Sequence, residues 1–84
     1  MKATFEISLY PLHNEYKEIV LMFLKDLNAF AGIKVETNGM STQIFGELDE
    51  LFTIMNALSK KYLEHYDAVL IFKIGKGHLR YEPS

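Results

Sequence analysis

Residues 33–47 read IKVETNGMSTQIFGE, and this stretch decides the architecture. Ile33, Val35 and Thr37 alternate with Lys34 and Glu36, the period-two signal of a half-buried strand. Asn38-Gly39 follows, and both residues tolerate the positive φ of a type I′ turn, so the pair predicts a tight hairpin. The chain leaving it, roughly Ser41 to Glu47, is then a strand antiparallel to the one before. Gly46 inside that strand marks either a bulge or a place where something comes close to the backbone.

A helical stripe lies on each side of the hairpin. Before it, Tyr16, Ile19, Val20, Phe23, Leu24, Leu27 and Phe30 recur at three- and four-residue spacing, with Asn14 as an N-cap and Gly32 as a C-cap. After it, Leu48, Leu51, Phe52, Met55, Leu58 and Tyr62 repeat the pattern, with Asp49 and Glu50 in the first turn where the helix dipole favours acid. Two further strands flank the helices. Ala3 to Leu9 alternates, with Phe5, Ile7 and Leu9 on one face, and Pro11 is expected to end it because proline donates nothing to a ladder. Ala68 to Ile74 is apolar on both faces apart from Lys73, and Gly75 and Gly77 close it.

The order strand, helix, strand, strand, helix, strand predicts an α+β protein, a ferredoxin-like βαββαβ sandwich whose four-stranded antiparallel sheet carries two helices on one face. The first and third strands are interior. The other sheet face then lacks a cover, and the last strand presents there either Val69, Ile71 and Lys73 or Leu70, Phe72 and Ile74. A partner subunit is expected to cover it, as a homodimer or dimer of dimers through the sheet.

Composition bounds the function. The 84 residues make a single domain, 1–84, and 49% hydrophobic with 13% aromatic residues is enough apolar surface to fold. Nine basic and eleven acidic residues give a net charge of −2 with no basic run beyond Lys60-Lys61, so the footprint for a phosphate backbone is missing and no nucleic-acid partner is expected. There is no cysteine, which removes disulfides, thiolate metal sites and cysteine nucleophiles. Glu6 interrupts any secretory signal, and no apolar run approaches the ~20 residues that span a bilayer, so a soluble cytoplasmic protein with no membrane partner is expected.

Candidates for catalysis are weak. His13, His65 and His78 fall at element ends without the i, i+4 spacing that sets two ligands on one helix face, so they read as exposed and no metal site is expected. Ser8, Ser41, Thr42 and Ser59 have no histidine close in sequence. Gly75-Lys76-Gly77 lacks the following helix of a phosphate loop and reads as a turn. The informative segment is Met40 to Glu47, which concentrates hydroxyls and an amide on an interior strand beside Ser8 of the first strand. Uncharged donors and acceptors of this kind suit a neutral heteroaromatic such as an aminopyrimidine better than a phosphate. The alternative, that these groups satisfy one another or face a subunit interface, stays open.

Ile7-Ser8-Leu9-Tyr10-Pro11-Leu12, Ser41-Thr42-Gln43-Ile44-Phe45-Gly46-Glu47 with Leu48-Asp49-Glu50-Leu51-Phe52, and Leu70-Ile71-Phe72-Lys73-Ile74-Gly75-Lys76-Gly77 together resemble the thiamine-binding, YKOF-like family over about residues 3–77. The resemblance implies a non-catalytic pocket for thiamine or its hydroxymethylpyrimidine part, with no enzyme activity and no cofactor. By position it implies ligand contacts from Ser8, Tyr10, Met40, Ser41, Thr42 and Gln43, with Gly46 allowing close backbone approach. Two features depart from the family pattern. Phe45 stands where many single-domain relatives carry glutamate, and the chain holds one copy where tandem members hold two. The implied role is thiamine transport or salvage; the second reading is a regulatory or assembly module acting through its shared sheet face.

Overall fold

The computed structural model describes residues 1–80. The expected elements are β1 (Lys2–Pro11), α1 (Tyr16–Asn28), β2 (Lys34–Thr37), β3 (Thr42–Glu47), α2 (Leu48–His65) and β4 (Ala68–Lys76). The four strands form one antiparallel sheet in the order β2-β3-β1-β4, with β3 and β1 interior. Both helices lie on one face, giving the ferredoxin-like sandwich. Alternation along β1 turns Ala3, Phe5 and Ile7 to the helices, where they join Ile19, Phe23 and Leu27 of α1 and Leu51, Met55, Leu58 and Tyr62 of α2 in the buried core. Ile54 is also buried, whereas Phe52 is 43% exposed and meets the buried Phe5 ring in a T-shaped contact.

Element ends differ from the sequence reading for identifiable reasons. β1 runs two residues past Leu9 and ends at Pro11, as expected, with Pro11 itself paired opposite Ala68. The N–H of Leu12 donates to the Asp67 carbonyl at 2.8 Å, so even-numbered residues of β1 turn their backbone groups toward β4. Odd-numbered Pro11 faces the β3 side, where no strand needs its missing N–H. The N-cap of α1 is Glu15, not Asn14, and no side chain caps it. That helix closes at Ala29 through N–H bonds to the Asp26 and Leu27 carbonyls, and Gly32, at φ +81°, turns the chain three residues later.

The hairpin is not a two-residue type I′ turn. Thr37 pairs with Thr42, leaving Asn38–Ser41 as a four-residue loop in which neither Asn38 nor Gly39 has positive φ. The Asn38 side chain dictates this, since its Oδ1 accepts the N–H groups of Met40 at 2.8 Å and Ser41 at 3.0 Å. Gly46 sits in regular register opposite Ala3, without a bulge. The close approach there is by the protein itself, because a Cβ would stand 3.1 Å from Ile33 Cγ2 and 3.3 Å from Leu51 Cδ2.

The face away from the helices carries Val69, Ile71 and Lys73 on β4, the first of the two expected sets, since Ser8 pairs with Ile71 and Tyr10 with Val69. Part of that face is covered by the chain's own end. At Gly77, φ +77°, the backbone leaves β4 and crosses the sheet. The Thr4 hydroxyl donates to the Gly77 carbonyl at 2.7 Å and accepts the Leu79 N–H at 2.8 Å. Arg80 reaches Glu36 on β2 with Nε at 2.8 Å and lies over the Phe45 ring, which His78 meets edge-on. This strap explains why Phe45, on the outer face, is only 2% exposed. Gly75 lets the strap lie close, because a Cβ there would press on the Leu79 side-chain methyl and oblige that side chain to turn aside.

Candidate functional site

At the sheet end opposite the strap, β1 outruns β3. Their pairing stops at Ile7 opposite Thr42, and Ser8 to Pro11 continue against β4 alone. The Asn38–Ser41 loop, drawn in on itself by its Asx bonds and by Asn38 N–H donating to the Ser41 carbonyl at 3.0 Å, does not extend along β1. A cleft of about 220 Å³ remains between the edge of β1, this loop and the α1 side chains Val20, Phe23 and Leu24.

Of the seven residues singled out from sequence, Ser8, Tyr10, Met40, Ser41 and Thr42 line this cleft and Gln43 and Gly46 do not. Strand alternation separates Ser8 and Thr42 onto opposite faces of the sheet, yet the end of β3 lets both border one hollow. Gln43 lies on the outer face opposite Glu6. Gly46 lines a different hollow, at the strap end, with Phe45, His78 and Arg80.

The polar groups differ in how far they are already engaged. The Ser41 hydroxyl donates to Glu6 Oε2 at 3.1 Å, and Glu6 Oε1 lies 3.4 Å from Lys73 Nζ. The buried Thr42 hydroxyl shares a bond of 3.1 Å with Thr37. One proton of that pair is left over, since a hydroxyl donates once and accepts twice. The Ser8 and Tyr10 hydroxyls have no hydrogen bond among the described residues. Met40 is 88% exposed at the mouth and can fold over a bound ring, while the α1 side chains supply an apolar wall. The cleft is thus an apolar slot bordered by uncharged hydroxyls, with no carboxylate among its lining residues.

Sequence reasoning missed Asn38, Glu6 and the α1 wall. A short polar residue opening a hairpin loop was a signal for Asn38; nothing local marks Glu6, which meets Ser41 across 35 residues of chain. The histidines lie away from the cleft. His65 and His78 are exposed as expected, but His13 is half-buried, accepting the Asp67 N–H at 3.0 Å through Nε2. Among the described residues no group of three His, Asp or Glu is arranged to hold a metal ion, and no helix is long and apolar enough to cross a membrane.

A model of the YKOF-related family matches residues 2–74. The chain belongs to that family. Among solved structures, this YKOF-related chain is similar to a Thermotoga maritima protein provisionally assigned to thiamine biosynthesis or salvage, with a TM-score of 0.79 and 21% identity over 88% of this chain and 82% of that one. A hypothetical protein of Methanocaldococcus jannaschii is similar at a TM-score of 0.76 and 26% identity, over 95% of this chain and 84% of that one. A domain of unknown function from Bacillus cereus gives a TM-score of 0.72 and 20% identity, over 100% of this chain and 79% of that one. Likeness at such identities establishes the fold the family shares. Among curated proteins, none matches the sequence.

Proposed function

We propose that the protein is a non-catalytic cytoplasmic binding protein for thiamine or its hydroxymethylpyrimidine moiety, acting in transport or salvage of the vitamin. The observation that carries this reading is the cleft that gathers Ser8, Tyr10, Met40, Ser41 and Thr42 against an apolar wall of α1. At about 220 Å³ it is smaller than the ~300–1,000 Å³ of ordinary ligand pockets, which favours one substituted ring inside and any second ring at the mouth. Hydroxyls with spare donors and acceptors suit the ring nitrogens and exocyclic amine of an aminopyrimidine, and they offer no charge to bind a phosphate. Family membership and the Thermotoga maritima neighbour support the same ligand class.

Isothermal titration with thiamine and with 4-amino-5-hydroxymethyl-2-methylpyrimidine tests it. A site worth roughly −5 to −8 kcal/mol has a Kd between about 200 µM and about 1 µM, and approaches one ligand per chain once free ligand reaches about 2 mM over ~100 µM protein. Absence of heat with both compounds at those concentrations retires the proposal.

A second reading is an assembly module, a homodimer or dimer of dimers that joins through the sheet. It is favoured by Val69 and Ile71, 46% and 53% exposed side by side with Tyr10 on the part of the outer face that the strap leaves bare. Glu6 and Lys73, paired on that face, give a two-fold contact charges of both signs.

A further inference from the structure

Backbone direction along β1 singles out Leu9. The Leu12 N–H bonds toward β4 and the Met1 carbonyl accepts the Leu48 N–H on the β3 side, so even-numbered residues serve β4 and odd-numbered residues serve β3. Ile7, facing β3, is matched by Thr42, the first residue of that strand. Leu9 is the next residue facing that way, and the position opposite it, Met40, belongs to the loop and gives its own N–H to Asn38. The N–H and C=O of Leu9 on that side have no hydrogen-bond partner among the described residues, and Leu9 lines the cleft. An unmet amide and carbonyl in a half-buried strand are costly unless something meets them.

The exposed edge is one residue long. Below it Ile7 is taken, and above it Pro11 has no N–H to give. A peptide strand laid here would gain the Leu9 pair and, from Pro11, at most one carbonyl acceptor, too few bonds for β-augmentation. A flat heterocycle needs only that pair, because a ring nitrogen next to an exocyclic amine offers an acceptor and a donor side by side, complementary to the N–H and C=O that one extended residue turns to the same side.

We propose that the Leu9 backbone is the specificity element of the cleft: its N–H donates to a ring nitrogen and its C=O accepts from the adjacent amine of a 4-aminopyrimidine, which takes the place of the missing β3 residue. This rests on the ligand reading above and adds what discriminates the amine. The side chain at position 9 packs against the core, so recognition rests on the backbone and is open to any residue but proline there.

The test uses the full chain labelled with nitrogen-15, titrated with 4-amino-2-methylpyrimidine and with 2,4-dimethylpyrimidine, which keeps the ring nitrogen and the shape but replaces the amine by a methyl group. The amino compound is expected to bind at least about tenfold tighter, since the methyl would leave the Leu9 carbonyl unmet. The Leu9 amide proton should move downfield and its exchange, fast in the free protein, should slow in the complex. Equal affinity for the two compounds, or shifts at Ser41 and Thr42 with Leu9 unmoved, overturns the Leu9 assignment and leaves the binding function standing. No resonance moving with either compound removes both. Protection of the Leu9 amide by an extended peptide but by neither pyrimidine also overturns it, assigning the edge to a strand partner.

Discussion

Ser41 Oγ donates to Glu6 Oε2 at 3.1 Å, so the first turn of chain before β3 is tied to the middle of β1 by a bond that reaches on to β4 through Lys73. All three groups are partly solvated, so their pairing contributes little to stability. Ser41→Ala is expected to cost no more than about 1 kcal/mol in a urea melt while weakening pyrimidine binding about fivefold to tenfold by calorimetry. Unchanged affinity in a variant that melts normally would remove Ser41 from the ligand site.

Asp26 carries the clearest pH dependence. Lys61 Nζ and the Tyr62 hydroxyl both donate to its Oδ2 at 2.7 Å, and these bonds hold its carboxyl below the usual carboxylate range. Burial, then the Asp26 carboxylate, pushes the Tyr62 hydroxyl up. A carboxyl whose pKa is depressed by folding stabilises the protein above its unfolded value, and that contribution drains away as pH falls below about 4. Tyr62→Phe should cost about 1 kcal/mol at neutral pH and shrink the drop in stability between about pH 5 and pH 2. Identical acid limbs for the parent and Asp26→Asn would show that this cluster is not the sensor.

Gly46 separates a packing role from a ligand role. Ile33 and Leu51 already occupy the space a side chain would need, so Gly46→Val is expected to destabilise by about 1–3 kcal/mol through overpacking. Because the residue lies away from the cleft, affinity for a pyrimidine measured on the folded variant should stay within about twofold, well under the ~1.4 kcal/mol of a tenfold change. A selective loss of binding would bring the ligand to the strap end instead.

Ile71→Asp addresses the sheet face. The side chain is half in water already, so the folded chain should tolerate the change to within about 1 kcal/mol. If copies associate here, native mass spectrometry should report a monomer for the variant where the parent forms a dimer or tetramer. A parent that is monomeric at hundreds of micromolar, or a variant that still assembles, removes this face from the interface.

The architecture was legible because its determinants are local. The two apolar stripes and the alternation of β1 and of residues 33–37 each name an element within a few residues, and six elements in that order leave little choice of sheet order. The ends were less legible because each depends on a partner far along the chain. Pro11 stays in its strand because the side lacking an N–H faces nothing, and Asn38-Gly39 opens into a four-residue loop because Asn38 Oδ1 captures two N–H groups. The cleft was half legible: its hydroxyls stand out in the sequence, but the hollow exists because β3 starts too late to meet Leu9, a matter of register that no single residue announces.

The crossing of residues 77–80 over the sheet has a consequence for whatever settles on that surface. A ridge of His78, Leu79 and Arg80 stands up at one side, so a flat body cannot lie level across all four strands. A body docked on the bare half with Val69 and Ile71 would lie against Tyr10, which also lines the cleft. Traffic of a small guest in and out would then run at a pace its neighbour sets.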